Sequence, residues 1–141
     1  MNQIALILFA VLACSLPGSS KEPVHAPPEF TIQRPTVIAF FPVTQAEVDS
    51  DSDTSEALGD FDYYIEQARG RLEKAGIEVH VVNERSFRVR FGARVRLFPR
   101  GNARDGYYFF QPGKEPHVVY DVMTDSDLID SVRKYFGTAI P

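Results

Sequence analysis

Seven arginines, Arg85, Arg88, Arg90, Arg94, Arg96, Arg100 and Arg104, crowd one stretch that contains no lysine, aspartate or glutamate. A guanidinium presents a planar fork of donors that matches carboxylates and phosphates, so arginines gathered on one surface are equipped to recognise anions. Phe87, Val89 and Phe91 alternate with Arg88 and Arg90, and Val95 and Leu97 alternate with Arg94 and Arg96. That period of two predicts a pair of strands with one apolar face and one cationic face. Arg88, Arg90, Arg94, Arg96 and Arg100 are therefore the candidate partner-binding residues. The partners they suit are an acidic protein, an anionic polymer or lipid headgroups, and charge reversal at Arg94 and Arg96 is expected to abolish capture. The competing expectation is that the arginines face acidic residues of their own domain or are solvated.

Catalytic and metal chemistry is thinly supplied. His25, His80 and His117 lie far apart with no i, i+4 pair, and the chain's one cysteine is Cys14. One thiol excludes an intramolecular disulfide, a Cys-x-x-Cys redox pair and a thiolate zinc site. The run Glu47, Asp49, Asp51, Asp53, Glu56, Asp60 opens like a calcium loop. Counted from Asp49, however, the sixth position is Thr54 where the sharp turn wants Gly, and the twelfth is Asp60 rather than Glu. A solvated loop whose carboxylates favour the following helix N-terminus is the better expectation. No metal or cofactor is expected, and no Ser-His-Asp or paired-carboxylate constellation is evident, so the chain is expected not to be an enzyme. The alternative is an enzyme using carboxylates or histidines near the first helix, which a deep pocket lined by Asp60, Tyr64 or His117 would favour. A net charge of −4 and a pI near 5.3 argue against a general nucleic-acid binder.

The segments that hold this surface begin with an address. Ile4 to Ala13 is an uncharged apolar run, shorter than the roughly 20 residues a spanning helix needs and suited to a signal-peptide core. Val11-Leu12-Ala13-Cys14 resembles the bacterial lipobox, which implies cleavage after residue 13 and lipidation of Cys14. Ser15 after the cysteine then implies an outer-membrane lipoprotein facing the periplasm, with its partner an envelope protein, an anionic envelope polymer or a lipid headgroup. The alternative is an ordinary leader cut near Pro17-Gly18-Ser19-Ser20, leaving a soluble secreted or periplasmic protein. Residues 1–13 are thus the expected signal peptide, residues 14–35 a lipidated cysteine and Pro-rich tether, and residues 36–141 the domain.

Within that domain, Thr36 to Phe41 reads as a strand buried on both faces. Asp53, Thr54 or Ser55 caps a helix whose stripe is Leu58, Phe61, Ile65, Ala68 and Leu72, stopped at Gly76. Ile77 to Val82 is a second strand, predicted parallel to the first through a right-handed crossover. Gly106–Gln111 and His117–Asp121 flank a Pro112-Gly113 turn, and Thr124 caps a last helix with Leu128, Val132, Tyr135 and Phe136 inward.

Strand, helix, strand, then hairpin and helix, with the run Tyr107 to Glu115 ending in Gly113-Lys114-Glu115, resembles the thioredoxin-like fold over roughly residues 36 to 137. The resemblance implies an α/β three-layer sandwich, with a central mixed sheet of four to five strands and flanking helices. Where thioredoxins carry their redox pair, this chain has Pro42 to Asp53 with no cysteine, and the family's cis-proline position falls near Asp105 or Gly106. Thiol-disulfide exchange needs two thiols. A redox-inactive, non-catalytic binding or scaffolding lipoprotein is therefore the expected function.

Overall fold

Every residue of Thr36–Phe40 is buried, so protein must cover both faces of this strand. The computed structural model describes residues 25–141. The expected signal segment 1–13, Cys14 and the first part of the Pro-rich tether lie outside those residues. The elements in chain order are β1 (Glu29–Thr31), β2 (Thr36–Phe40), α1 (Gln45–Ser50), α2 (Ser52–Lys74) and β3 (Glu78–Val82). They continue with β4 (Phe87–Phe91), β5 (Arg94–Phe98), β6 (Gly106–Phe110), β7 (His117–Val119) and α3 (Asp125–Phe136). No helix among the described residues is long and apolar enough to cross a membrane.

Two mixed sheets result. The four-stranded one runs β3-β2-β6-β7, with β2 parallel to β3 as the strand-helix-strand pattern predicts and the other pairs antiparallel. The three-stranded one runs β1-β4-β5, with β1 parallel and β5 antiparallel to β4. Alternation along β2 and β6 sends successive side chains to opposite faces. Val37, Ala39, Tyr107 and Phe109 meet Phe61, Ile65, Ala68 and Leu72 of α2 and Leu128, Ile129 and Val132 of α3. Ile38, Phe40, Tyr108 and Phe110 meet Phe87, Val89 and Phe98 of the second sheet. Phe87 anchors that second core, with ring centroids 5.4 Å from Phe40, 5.5 Å from Phe98 and 5.1 Å from Tyr108. Full burial of one such ring contributes about 1.5–3 kcal/mol by apolar area.

The α/β class stands, with three helices and two mixed sheets, but the expected layering does not. Both long helices pack on one face, and a sheet covers the other face where a helix was expected, so the order of layers is helix, sheet, sheet. The cause is local: the arginine stretch alternates with period two across a two-residue turn, Gly92-Ala93, and Gly92 supplies the positive φ of 59° that this turn requires. A hairpin with an apolar face covers a sheet as well as an amphipathic helix does.

Two boundaries also move. The expected domain start at residue 36 gives way to Glu29, because β1 pairs with β4 and the Arg88 amide donates to the Pro28 carbonyl at 2.7 Å. The expected acidic loop is helical instead. Thr44 and Glu47 form a capping box that starts α1, and Asp51 caps α2 by accepting from the Asp53 amide at 3.2 Å. At the far end, Thr124 caps α3 as expected, and Gly137 ends it in the left-handed region. Gly106 is fixed by space: a Cβ there would collide with the Val119 carbonyl oxygen of β7.

Candidate functional site

Register decides where the arginines go. Phe91 stands opposite Arg94, Val89 opposite Arg96 and Arg88 opposite Leu97, and directly opposed residues share a face. Arg88 and Arg90 therefore lie on the outer face beside exposed Val95 and Leu97, whereas Arg94 and Arg96 share the face of Phe87, Val89 and Phe91. The expected single cationic face is corrected: the two strands alternate as predicted, but the two-residue turn puts their arginines on opposite sides.

Several of these arginines are engaged within the domain. Arg85 meets Glu47 at 2.7 Å, Arg90 meets Glu29 at 2.7 Å, and Arg96 Nη1 donates to both Glu115 oxygens at 2.7 and 2.8 Å. The Arg96 hydrogen bonds and charge hold the Glu115 carboxyl below its ordinary value. Exposed pairs of this kind contribute little stability, because solvent screens the charges and two long side chains must be held still. Their effect is positional, since Arg96–Glu115 ties β5 to the β6–β7 turn.

Beside this tie a cavity of about 420 Å³ opens between β5 with its following loop and β7. Phe98, Pro116 and Val118 give it an apolar wall, and Arg100, Arg104, Glu115 and Tyr120 bring polar groups to it. The Arg100 guanidinium lies 5.8 Å from the Phe98 ring centroid and 4.0 Å from Glu115, and Arg104 lies 4.9 Å over the Tyr120 ring. An aromatic face holds a guanidinium flat while its N–H edge stays free to donate. Among the described residues no carboxylate is within ion-pair distance of Arg104. Tyr108 is 2% exposed, and its hydroxyl is buried with no hydrogen-bond partner among the described residues. Burial, together with the neighbouring Tyr120, pushes its phenol far above the ordinary value, so it is a neutral donor at any physiological pH.

A second cavity of about 560 Å³ lies where β2 ends, lined by Pro42, Glu47, Asp51, Asp53 and Asp105. This is where the thioredoxin resemblance would put redox chemistry, and the side chains there are carboxylates. Hydrogen bonds from Thr44 and from Thr54 lower the Glu47 and Asp51 carboxyls respectively, and burial raises that of Asp105. The histidines stay apart. His80 Nε2 is 2.6 Å from Glu78, and His117 stacks on Tyr135 with centroids 3.7 Å apart. Asp60, Tyr64 and His117 line neither of these two cavities. No group of three His, Cys, Asp or Glu side chains is disposed to hold a metal among the described residues.

The cavity thus gathers Arg100 from the expected set and leaves Arg88 and Arg90 elsewhere. It adds Arg104, which belongs to the arginine-rich stretch but not to the five candidate residues, and Glu115 and Tyr120, which sequence reasoning did not single out as a site. The available signal was the pair Tyr107-Tyr108 in an otherwise apolar buried strand, whose hydroxyls must find partners or pay for lacking them. Comparison with family models, curated protein sequences and solved structures finds no match to this chain.

Proposed function

We propose that this chain is an envelope-anchored, non-catalytic binding domain of thioredoxin-like architecture, exported through residues 1–13, held by a lipidated Cys14, and recognising an anionic group of an envelope protein or other envelope component. The observation that carries the reading is the convergence of Arg100 and Arg104, each laid on an aromatic ring, on a cavity with an apolar wall. The architectural part is supported by β2-α2-β3 followed by β6-β7-α3 within one four-stranded sheet, with the β4–β5 hairpin in place of the intervening helix. Because Arg96 is engaged by Glu115, the discriminating variant shifts from Arg94 and Arg96 to Arg100→Glu with Arg104→Glu. That variant is expected to lose capture of an envelope partner while unfolding at the same temperature, and unchanged capture removes the reading. Cys14→Ala is expected to release the chain from the membrane fraction, and retention there contradicts the anchor.

A second reading has one observation in its favour. In the acidic cavity Asp105 is held protonated more readily than Glu47 and Asp51, and carboxyls pushed apart in this way suit acid and base roles. It predicts that Asp105→Asn abolishes the biological effect while the Arg100 and Arg104 reversal leaves it intact.

A further inference from the structure

The two sheets end in four edge strands, β1, β5, β3 and β7, and a free edge offers unpaired backbone groups to another chain. β1 and β7 are only three residues long. β3 is longer, but its own chain covers it. Glu78 donates to Pro35 and Val82 accepts from Phe41, both on the β2 side, so Val79 between them faces outward, and Arg69 of α2 donates to the Val79 carbonyl at 2.9 Å. β5 is guarded by nothing comparable: it pairs with β4 on one side, and among the described residues no hydrogen bond reaches its backbone from the other.

The Gly92-Ala93 turn fixes which groups of β5 are open. Phe91 and Arg94 close the turn as a hydrogen-bonded pair, and such pairs alternate along an antiparallel ladder, so Arg94, Arg96 and Phe98 point their backbone at β4. Val95 and Leu97 point theirs outward. The side chains of the same two residues, 40% and 55% exposed, stand on the outer face of the sheet. Open backbone combined with exposed apolar side chains at alternate positions is what strand addition uses: main-chain hydrogen bonds give affinity and alternate side chains give selectivity.

Charge selects the occupant. Among the described residues no carboxylate is within ion-pair distance of Arg94, beside Val95, or of Arg88, opposite Leu97. A second copy of β5 is disfavoured, since pairing Val95 of one copy with Leu97 of the other sets Arg96 against Arg96, and like charges directly opposed repel. From this geometry we infer that β5 accepts an extended peptide segment of alternating acidic and apolar residues. Its backbone bonds to Val95 and Leu97, its apolar side chains lie on the outer face beside theirs, and its acidic side chains share the face of Arg94. The inference goes beyond the proposed function, because it seats a peptide backbone on β5 rather than an anionic group in the cavity between β5 and β7.

The test is fluorescence anisotropy of the fluorescein-labelled peptide Glu-Val-Glu-Ile-Glu-Val-Glu with the purified full chain, beside the scrambled peptide Glu-Glu-Val-Ile-Val-Glu-Glu. The alternating peptide binds saturably and the scrambled one about tenfold more weakly or worse. Methylating the backbone nitrogens of either the apolar or the acidic residues removes one alternate set of donors. One pattern costs about tenfold or more, and the other leaves affinity nearly unchanged. Loss with the apolar set reports antiparallel addition, and loss with the acidic set reports parallel addition. Val95→Pro deletes an outward N–H without touching the ladder to β4, so it weakens binding about tenfold at a little-changed unfolding temperature. Arg94→Glu leaves the backbone intact and weakens binding on a similar scale, which keeps the inference testable if Val95→Pro folds badly. No saturable binding at millimolar concentration, equal binding of the scrambled peptide, or equal effects of the two methylation patterns overturns the inference. A concentration-dependent dimer of the chain alone that Val95→Pro abolishes gives the edge to a second copy and also overturns it. The proposed function is judged separately, by capture through Arg100 and Arg104, and survives any of these failures.

Discussion

Tyr108 and Asp105 are two residues at which the fold tolerates an unfavourable environment. A buried hydroxyl without a partner costs roughly 1–3 kcal/mol of desolvation, and Tyr108 carries one inside the aromatic core formed with Phe87 and Phe98. Tyr108→Phe is therefore expected to hold or raise the unfolding free energy, by up to about 1 kcal/mol in urea denaturation. A clear loss of stability would mean that the hydroxyl is satisfied in the folded protein. Asp105 is penalised differently, because burial raises its carboxyl above the ordinary 3.8. Between that ordinary value and the raised one the folded chain keeps a proton that the unfolded chain has released, so stability falls as pH rises through this window. Asp105→Asn is expected to raise the melting temperature at neutral pH, with the gain vanishing below the ordinary value. A melting temperature that drops at neutral pH would give the carboxylate a stabilising partner instead. Glu47 and Glu115 act in the opposite sense: hydrogen bonds from the Thr44 amide and hydroxyl lower the Glu47 carboxyl from 4.5, and Arg96 lowers that of Glu115, so their contribution is present above that value and is lost as pH falls through the lowered one.

The β4–β5 hairpin shows how far single elements were legible and where legibility stopped. Phe87, Val89, Arg88 and Arg90 announce a strand through alternation alone, and the Thr124 cap, the Gly137 stop and the Pro112-Gly113 turn equally announce their own elements. Which face each arginine occupies depends on register, and register depends on the length of the Gly92-Ala93 turn. Alternation within a strand carries no information about its partner, which is why a single cationic face was expected and two mixed ones are found. The same gap hid the second sheet, because an apolar stripe does not say whether a helix or a hairpin will cover it. The start of α1 was legible in Thr44 and Glu47, but the D-x-D-x-D run drew attention to a loop. At β6 the constraint is steric. Gly106→Ala forces a Cβ toward the Val119 carbonyl, so β7 must shift, at an expected cost of about 1–3 kcal/mol. Equal unfolding free energies for the two proteins would show that β7 moves freely.

On the scale of the whole molecule, the helix, sheet, sheet arrangement brings together the free edges of two different sheets, β5 from one and β7 from the other. The cavity lies between these edges, so its residues come from Phe98 to Tyr120 and meet only once both sheets have formed. A site built this way is invisible to local pattern, although Arg100 and Arg104 belonged to the segment that the sequence marked as unusual. It also separates two surfaces: carboxylates gather where β2 ends, and arginines with aromatic rings gather at the edges of β5 and β7. Residues 1–13 and Cys14 lie outside the described residues, and in the proposed function they set where this second surface works. The most direct test uses a photoreactive amino acid in place of Asn102, at the cavity rim, in the full chain expressed in whole cells. A discrete crosslinked envelope species that disappears when Arg100→Glu and Arg104→Glu are added is the expected result. The same crosslinks with and without those two arginines would contradict a binding domain that works through this cavity.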